Sequence, residues 1–364
     1  MSPDADRRPS APLRLGVDAL NLLHDRRGIG RYVRSLLRRW LKRDAARVEV
    51  VLLVPHLFPW SVGARLRRDL RVDDVRVERR ARASRLGLDI AWHPWNGIFF
   101  DSGVRDVVTI HDVWPFVNAP AEDPALAQSR QQPFLRAAHQ AAWFVTDSQF
   151  SKREVVRRLG VDPERIDVVY LGVDAPVDAA RAAAVAARGR YLLFVGETEG
   201  RKDLSTLIAA VARLPAALRD GTALIVAGKS AASATVPNGV RIDFAGEVDD
   251  DTLAALYSGA SAFVFPSQYE GFGLPVLEAM AYGAPVVASD AASIPEAAGD
   301  AALYFKAGDA GACAAAIERV LSEPGLADSM RERGRDRAAQ MTWDRCADAT
   351  LAILERVAGR AGRP

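Results

Sequence analysis

Two glutamates, Glu270 and Glu278, stand eight positions apart in the segment PSQYEGFGLPVLEAMAYG. Gly271 and Gly273 between them permit a tight turn whose backbone amides can face a phosphate. The residues after the turn are predicted to form a helix with proline in its first turn and a stop at Gly283. Carboxylates beside such a turn can accept hydrogen bonds from the paired hydroxyls of a ribose or a sugar. The alternative is a pair of exposed glutamates, one of which compensates the helix dipole.

Two further motifs follow predicted strands, where ligands of open α/β sheets bind. Arg201 and Lys202 stand in FVGETEGRKDL, just before a helix, where two cations can bind a pyrophosphate or can simply be surface charges. His111 and Asp112 end the apolar run VVTIHDV. A histidine there can donate to a phosphate or a sugar hydroxyl near neutral pH, although a packed or capping histidine is the alternative.

A fourth motif, GIGRYV, opens the first long helix. Gly28 and Gly30 let backbone amides approach an anion, or they form a plain tight turn. The motif is not GxGxxG, which counts against a nicotinamide enzyme. The helix face opposite the apolar residues is basic. Such a face can bind an anionic lipid surface or can simply be solvated. Its basic residues are Arg31, Arg34, Arg38, Arg39, Lys42 and Arg43.

The elements that must position these motifs alternate between β-rich runs and helix-like stretches. Six predicted strands (13–20, 48–55, 89–94, 107–113, 142–148 and 166–173) precede a break, and five (191–196, 223–228, 242–246, 261–267 and 284–290) follow it. Apolar strands that alternate with helices indicate parallel sheets covered on both faces. We therefore predict an α/β protein with two doubly wound domains.

We place the first domain at residues 1–180 and the second at 181–340. The alanine-rich break at 175–190 is interpreted as the linker, and residues 341–364 as a helix that packs back toward the N-terminal domain. In this last segment Trp343, Cys346, Leu351 and Leu354 have helical spacing and need a surface to cover. The first dozen residues are expected to be a loose tail.

Composition limits the protein class. The chain has 364 residues and two cysteines, without a CxxC or Cys/His cluster, so neither a zinc site nor a disulfide framework is expected. It has no run of 18 apolar residues, so we expect a cytoplasmic protein that is not integral to a membrane. Residues 1–180 carry a net charge of +6 and the rest −4, which fits either an anionic surface or substrate at the first half or solvated arginines. No nucleic-acid partner is expected.

Together these motifs resemble retaining glycosyltransferases of family 4, which have the GT-B fold: two Rossmann-like domains that face each other across a cleft. The E-x7-E pattern is Glu270 to Glu278, and it is joined by GIGRYV, TIHD, TDSQFSKREV, YLGVD, FVGETEGRKDL and IPEAAGDAALYF. The resemblance covers roughly residues 13 to 345. One departure is Glu197, which stands where many members have arginine; Arg201 is expected to supply that charge.

The resemblance implies a role for each motif. Glu278 should bind the ribose of the donor nucleotide, and Glu270 should face the transferred sugar. Arg201 and Lys202 should neutralise the pyrophosphate, and His111 should approach the donor sugar from the opposite domain. The backbone of the turn and the strand-end residues should line the rest of the nucleotide-sugar site, and the first glycine loop should close over the phosphates or the acceptor. These residues are Phe272, Gly273, Leu274, Gly196, Gly228, Lys229, Gly28 and Gly30.

The function implied by the resemblance is transfer of a hexose with retention and without a bound metal. The donor expected first is GDP-mannose, with UDP-glucose or dTDP-rhamnose behind it, and no other cofactor is needed. The acceptor would be a lipid-linked sugar or an oligosaccharide in cell-surface polysaccharide synthesis, at the inner face of the membrane. Front-face attack is the expected mechanism, with a covalent double displacement through Glu270 as its rival. A GT-B epimerase or a non-catalytic sugar-nucleotide-binding protein would also fit these motifs.

Overall fold

The computed structural model describes residues 11–25, 28–55, 59–174, 189–197, 200–229 and 236–359. The chain divides into two compact units. Unit 1 comprises Met1–Val169 and Trp343–Pro364, and unit 2 comprises Tyr170–Thr342. The predicted linker at 175–190 and the predicted N-terminal tail lie almost wholly outside the described residues.

Unit 1 is built on a seven-stranded sheet in the order β3-β2-β1-β4-β5-β6-β7, and each described pair of neighbouring strands is parallel. Its strands are β1 (Leu13–Asp18), β2 (Val48–Val54), β3 (Arg76–Arg79), β4 (Ile90–His93), β5 (Arg105–Ile110), β6 (Trp143–Thr146) and β7 (Ile166–Val168). The helices between them are α1 (Gly28–Lys42), α2 (Pro59–Leu70), α3 (Trp114–Val117), α4 (Pro124–Gln140) and α5 (Gln149–Leu159).

Unit 2 has a six-stranded sheet in the order β10-β9-β8-β11-β12-β13, again parallel throughout the described strands. Its strands are β8 (Tyr191–Val195), β9 (Ala223–Ala227), β10 (Arg241–Gly246), β11 (Ala262–Phe265), β12 (Val286–Ser289) and β13 (Ala302–Phe305). Its helices are α6 (Leu204–Arg213), α7 (Ala216–Arg219), α8 (Asp250–Gly259), α9 (Leu274–Ala281), α10 (Ile294–Ala298), α11 (Ala310–Ser322) and α12 (Leu326–Gln340).

The last helix, α13 (Trp343–Val357), belongs to unit 1 and packs on α1. Its four apolar positions singled out in the sequence are all buried, with at most 1% of each residue exposed. The indole of Trp40 donates to the carbonyl of Ala347 at 3.2 Å, which fixes α13 against α1. Trp343 joins Tyr32, Trp40 and Trp92 in a buried aromatic cluster that forms part of the unit 1 core.

The predicted fold class, two parallel Rossmann-like sheets with helices, is confirmed. Two edge strands were not predicted. β3 has three charged residues and a single valine, and none of the four is fully buried, so it lacks the apolar run of a buried strand. β13 has four residues and is only partly buried on three of them. Among the described residues, none of the helices has the length and apolar character needed to cross a bilayer.

In each sheet the strand order reverses at one place, between β1 and β4 in unit 1 and between β8 and β11 in unit 2. Ligands of open α/β sheets bind beyond the carboxyl ends of the strands at this switch point. The segments that follow β8 and β11 contain Lys202 and Glu270, two of the residues that the sequence predicts to act on the donor. The fold of unit 2 therefore brings the two strongest motifs to the position where the topology favours a ligand.

Candidate active site

Lys202 and Glu270 form an ion pair across the switch point of unit 2. The Lys202 Nζ donates to the Glu270 Oε1 at 2.6 Å, and 15% and 9% of the two side chains remain exposed. The aliphatic stem of Lys202 lies near Gly196, and its ammonium group is 5.2 Å from the centre of the Phe265 ring. The pair therefore places a cation, which can bind a phosphate, beside a carboxylate at the carboxyl ends of the central strands.

The glycine turn after Glu270 begins α9 in the way the sequence predicts. Gly273 is the N-cap residue with a φ of 105°, which a residue with a Cβ rarely adopts, and it has no side-chain cap. Proline lies in the first turn, and the helix ends before Gly283, as predicted. The amides of this first turn can therefore be offered to an anion. Phe272 is buried and stacks on the ring of Tyr170 at 6.0 Å.

Glu278 is the fifth residue of α9 and is half-buried. The hydroxyl of Tyr257, a fully buried residue of α8, donates to the Glu278 Oε2 at 3.3 Å. The Tyr257 ring is in turn stacked on Tyr282, with ring centres 6.0 Å apart and nearly parallel planes. Glu278 is thus held by the hydroxyl of Tyr257 and keeps acceptor capacity for paired hydroxyls.

The strand-end residues Gly196, Gly228 and Lys229 lie beyond β8 and β9. A Cβ on Gly228 would come within 2.2 Å of the Gly196 carbonyl oxygen, so only glycine allows these two loops to approach each other so closely. The Gly228 φ of 132° also favours glycine. Lys229 is exposed. Close backbone packing therefore explains Gly228, whereas a Cβ on Gly196 would meet no atom closer than 3.6 Å.

His111 lies in unit 1, directly after β5, and is buried. Its Nδ1 is 2.6 Å from the Asp147 Oδ2, and its Nε2 donates to the Pro94 carbonyl oxygen at 3.0 Å. Burial lowers the pKa of His111, but the charge and hydrogen bond of Asp147 outweigh this effect, so the pKa lies above its ordinary value. Both ring nitrogens are therefore engaged inside unit 1.

The glycine motif at the start of α1 is fixed by Arg34. A Cβ on Gly30 would come within 1.8 Å of the Asp25 carbonyl oxygen, so glycine is required there. Arg34 is buried and donates to the carbonyl oxygens of Asp25 and Leu22, each at 2.6 Å. Its Nε donates to the Asp69 carboxylate at 2.5 Å. Arg34 thus organises the loop before the helix.

This geometry corrects the interpretation of α1 as a free basic face. Besides Arg34, Arg39 pairs with Asp344 at 2.5 Å, and Arg43 pairs with Asp348. Arg38 donates to the carbonyl oxygen of Asp69 at 2.7 Å. These arginines hold α1 to α2 and α13, so most of the basic side of the helix is used inside unit 1. The periodicity of the sequence could not reveal this, because the acidic partners of Arg39 and Arg43 are about 300 residues away.

Several site residues were not found from the sequence. Asp203 and Gln268 link the segments after β8 and β11, Tyr257 supports Glu278, and Asp147 holds His111. The hydroxyl of Ser293 donates to the carbonyl oxygen of Glu270 at 2.8 Å. The only sequence signal was that Asp203 and Gln268 stand beside or near the charged residues of the motifs; the contacts themselves join residues far apart in the chain.

Comparison with known proteins agrees with the geometry. The model of a family described as Glycosyl transferases group 1 matches residues 179–337, and one described as Glycosyltransferase Family 4 matches residues 26–176. The O-antigen chain mannosyltransferase B of Escherichia coli is 31% identical over 304 residues, which cover 78% of this chain and 80% of that protein. The chain belongs to glycosyltransferase family 4. It is therefore a glycosyltransferase that acts on sugar-nucleotide donors, as predicted.

Two further comparisons are with a second mannosyltransferase and with a solved structure. The MMP alpha-(1->4)-mannosyltransferase of Mycolicibacterium hassiacum is 32% identical over 250 residues, which cover 62% of this chain and 56% of that protein. Anabaena HepE, solved in complex with UDP and glucose, matches 94% of this chain and 100% of its own at a TM-score of 0.73 and 15% identity. At that identity the likeness concerns the fold alone.

Proposed function

We propose that this family 4 enzyme transfers mannose from GDP-mannose, with retention of the anomeric configuration, to a lipid-linked or oligosaccharide acceptor of a cell-surface polysaccharide. The observation that carries the donor half of the proposal is the Lys202–Glu270 pair at the switch point of unit 2. The mannosyl donor and the polysaccharide role rest on the relatives, of which the E. coli protein is an O-antigen chain mannosyltransferase. UDP-glucose and dTDP-rhamnose are the alternative donors.

The proposed chemistry needs departure of a nucleoside diphosphate from a sugar that develops positive charge. Lys202 and Arg201 would take up the charge of the leaving diphosphate together with the amides at the start of α9. Glu270 would face the sugar, and Ser293 would hold the backbone of Glu270 in place. Glu278, supported by Tyr257, would accept hydrogen bonds from the ribose. In front-face attack the leaving phosphate accepts the acceptor proton.

The proposal for the donor is tested by a panel of GDP-mannose, UDP-glucose and dTDP-rhamnose. Thermal unfolding is measured with each, because a ligand at 100 times its Kd stabilises the folded state by about 2.7 kcal/mol. The best donor is then incubated with an oligosaccharide acceptor, and the product is examined by NMR. We expect GDP-mannose to stabilise most and the product linkage to be α. A β-linked product from GDP-mannose would contradict retention. Stabilisation by UDP-glucose alone would mean that UDP-glucose, and not GDP-mannose, is the donor.

We further propose that transfer needs no metal ion, because Lys202, Arg201 and a helix N-terminus can carry the charge compensation. Treatment with EDTA, followed by removal of the chelator and assay, should leave the rate within about twofold of the untreated enzyme. A large loss that magnesium restores would contradict this assignment. The matched control is the untreated enzyme passed through the same desalting step.

We also propose that the enzyme contacts the anionic inner face of the membrane. The contact surface is the exposed face of α2 together with Arg71, and α1 is no longer assigned this role. This surface carries Trp60, which is 73% exposed, and the exposed Arg65, Arg68 and Arg71. In the described part of the chain, no carboxylate lies within ion-pair distance of these three arginines. An exposed indole beside such arginines fits the headgroup region of an anionic bilayer, where each basic residue contributes about 1 kcal/mol.

Binding to vesicles tests this surface. The variant Arg65→Ser/Arg68→Ser/Arg71→Ser should lose most of its binding to phosphatidylserine-containing vesicles while turnover of a soluble acceptor is retained. The matched control, Arg319→Ser/Arg333→Ser/Arg345→Ser, removes three exposed arginines elsewhere and should bind as the wild type does. Equal loss in both variants would mean that net charge alone attracts the protein. Unchanged binding of the α2 variant would contradict the assignment.

A further inference from the structure

Two segments meet at the switch point of unit 2 through more than the Lys202–Glu270 pair. The backbone amide of Gln268 donates to the Arg201 carbonyl oxygen at 2.8 Å. The side-chain amide of Gln268 donates to the Asp203 Oδ2, also at 2.8 Å. Three hydrogen bonds, including that of the ion pair, thus connect residues 201–203 after β8 to residues 268–270 after β11.

Asp203 is held tightly at this junction. It has φ 49° and ψ 45°, the left-handed region that residues other than glycine rarely occupy, and it caps α6. Its carboxylate accepts from the amide and hydroxyl of Thr206 and from the hydroxyl of Ser205, in addition to Gln268. Burial raises the pKa of Asp203, but the hydrogen bonds from Gln268, Thr206 and Ser205 outweigh it, so the pKa lies below its ordinary value.

The cap of α6 does not require Gln268. Thr206 and Ser205 already donate to the Asp203 carboxylate from within the first turn, which is the usual way to satisfy a helix N-terminus. Gln268 is an exposed residue, so its side chain adds little apolar burial. What its amide adds is a link from the segment that carries Glu270 to the residue directly after Lys202. The hydrogen bond therefore connects the two segments that carry Lys202 and Glu270, and helix stability does not explain it.

We propose that Asp203 and Gln268 are positioning residues that hold Lys202 and Glu270 in register for the donor diphosphate and sugar. This inference rests on the proposed roles of Lys202 and Glu270. Asp203 fixes the chain on the C-terminal side of Lys202, and Gln268 fixes the chain two residues before Glu270. Without the link, the ammonium group samples positions away from the diphosphate. A substitution of Gln268 therefore acts through Lys202 and needs no contact of its own with the substrate.

A double-mutant cycle tests the proposal, because coupling shows up as non-additive effects. Gln268→Met keeps the length of the side chain and removes its hydrogen bonds. We expect it to lower kcat/KM by about tenfold in the wild-type background and by less than about twofold in a Lys202→Met background. Equal effects in the two backgrounds, or no effect in the wild type, would overturn the proposal. Thermal unfolding measured in parallel shows that the variants are folded.

The same cycle is run by calorimetry with GDP and with UDP, which needs neither acceptor nor turnover. We expect Gln268→Met to raise the Kd of the nucleotide that binds by about threefold, and to leave it unchanged in the Lys202→Met background. If no donor supports turnover by the wild type, the proposed function fails, while the calorimetric cycle still decides the positioning role. If the wild type turns over and Gln268→Met matches it in both measurements, only the positioning role fails.

A second helix cap separates positioning from helix stability. Asp309 caps α11 in unit 2 and accepts from the amides of Gly311 and Ala312, each at 2.9 Å. Asp203→Asn, which tolerates the left-handed conformation, and Asp309→Asn should both lower Tm, Asp203→Asn by more because Asp203 also accepts hydrogen bonds from side chains. Only Asp203→Asn should lower kcat/KM, by several-fold. If both variants lowered kcat/KM by the same factor, Asp203 would be assigned to helix capping alone.

Discussion

The charged groups assigned to the two units are held in different ways. In unit 2, Lys202 and Glu270 are joined by one ion pair, and the side chain of Lys202 keeps 15% of its surface exposed. In unit 1, His111 is as buried as Glu270, but both its ring nitrogens are engaged, one with Asp147 and one with Pro94. A ligand can exchange with the pair in unit 2 by breaking one contact, whereas His111 must give up a hydrogen bond before it can donate elsewhere. Substitutions in unit 2 should therefore change kinetics most, and those around His111 should also change how stability depends on pH.

The largest effect is expected for Glu270. This carboxylate is assigned to the sugar, where positive charge develops, so Glu270→Ala should lower kcat by about 10²-fold or more. Because the substitution also frees Lys202, affinity for the bare nucleoside diphosphate should be unchanged or slightly higher. Steady-state kinetics and calorimetry measure the two quantities, with Glu270→Gln as the isosteric control. A loss of nucleotide affinity with unchanged kcat would reverse the assignment.

A smaller effect of a different kind is expected for Glu278. The ribose changes little during the reaction, so removal of its partner removes uniform binding. Glu278→Ala should raise the donor KM by about tenfold and leave kcat within about threefold. Tyr257→Phe, which removes the hydroxyl that donates to Glu278, should show a weaker change in the same direction. A fall in kcat with unchanged KM would place Glu278 among the reacting groups.

The smallest effect is a pH dependence of stability in unit 1. The pKa of His111 is raised in the folded state, so its pair with Asp147 stabilises the protein fully below the ordinary histidine pKa of about 6.5 and loses that effect as pH rises through the raised value. The difference in free energy of unfolding between wild type and Asp147→Asn should therefore shrink above that pH, by about 1.4 kcal/mol per unit of pKa shift.

Denaturant unfolding between about pH 5.5 and 9 measures this difference. Glu154→Gln, which removes the carboxylate that pairs with Arg157 and Arg158 on α5, serves as the control, and its effect should stay constant over the same range. A gap between wild type and Asp147→Asn that stays constant or widens with rising pH would mean that His111 does not carry the proton in this pair.

Local sequence patterns correctly predicted the buried strands and the ends of α9. The apolar runs of β1, β2, β8 and β9 are buried strands, and the proline and glycine around α9 set its start and its end. Edge strand β3 was missed because three of its four residues are charged and none is fully buried. The apolar pattern that full burial produces is therefore lacking there.

Partners of charged side chains could not be predicted in this way. The basic stripe of α1 looked free in sequence, yet its arginines pair with carboxylates of α2 and α13. In the same way, the residues around His111 in the sequence do not indicate that Asp147 is its partner. The residues around Lys202 do not indicate that Gln268 contacts the neighbouring Asp203. These contacts depend on the three-dimensional order of the strands, which brings segments together that are 35 to 305 residues apart.

The central claim is that the switch point of unit 2 binds the diphosphate of the donor through Lys202. Calorimetry with GDP and with UDP on Lys202→Met tests it most directly, with Lys306→Met as a control that removes an exposed lysine of the same unit. The account predicts that Lys202→Met weakens binding of the preferred nucleotide by at least about tenfold, or about 1.4 kcal/mol, while Lys306→Met stays within about twofold of the wild type. Equal affinity of wild type and Lys202→Met for both nucleotides would contradict it.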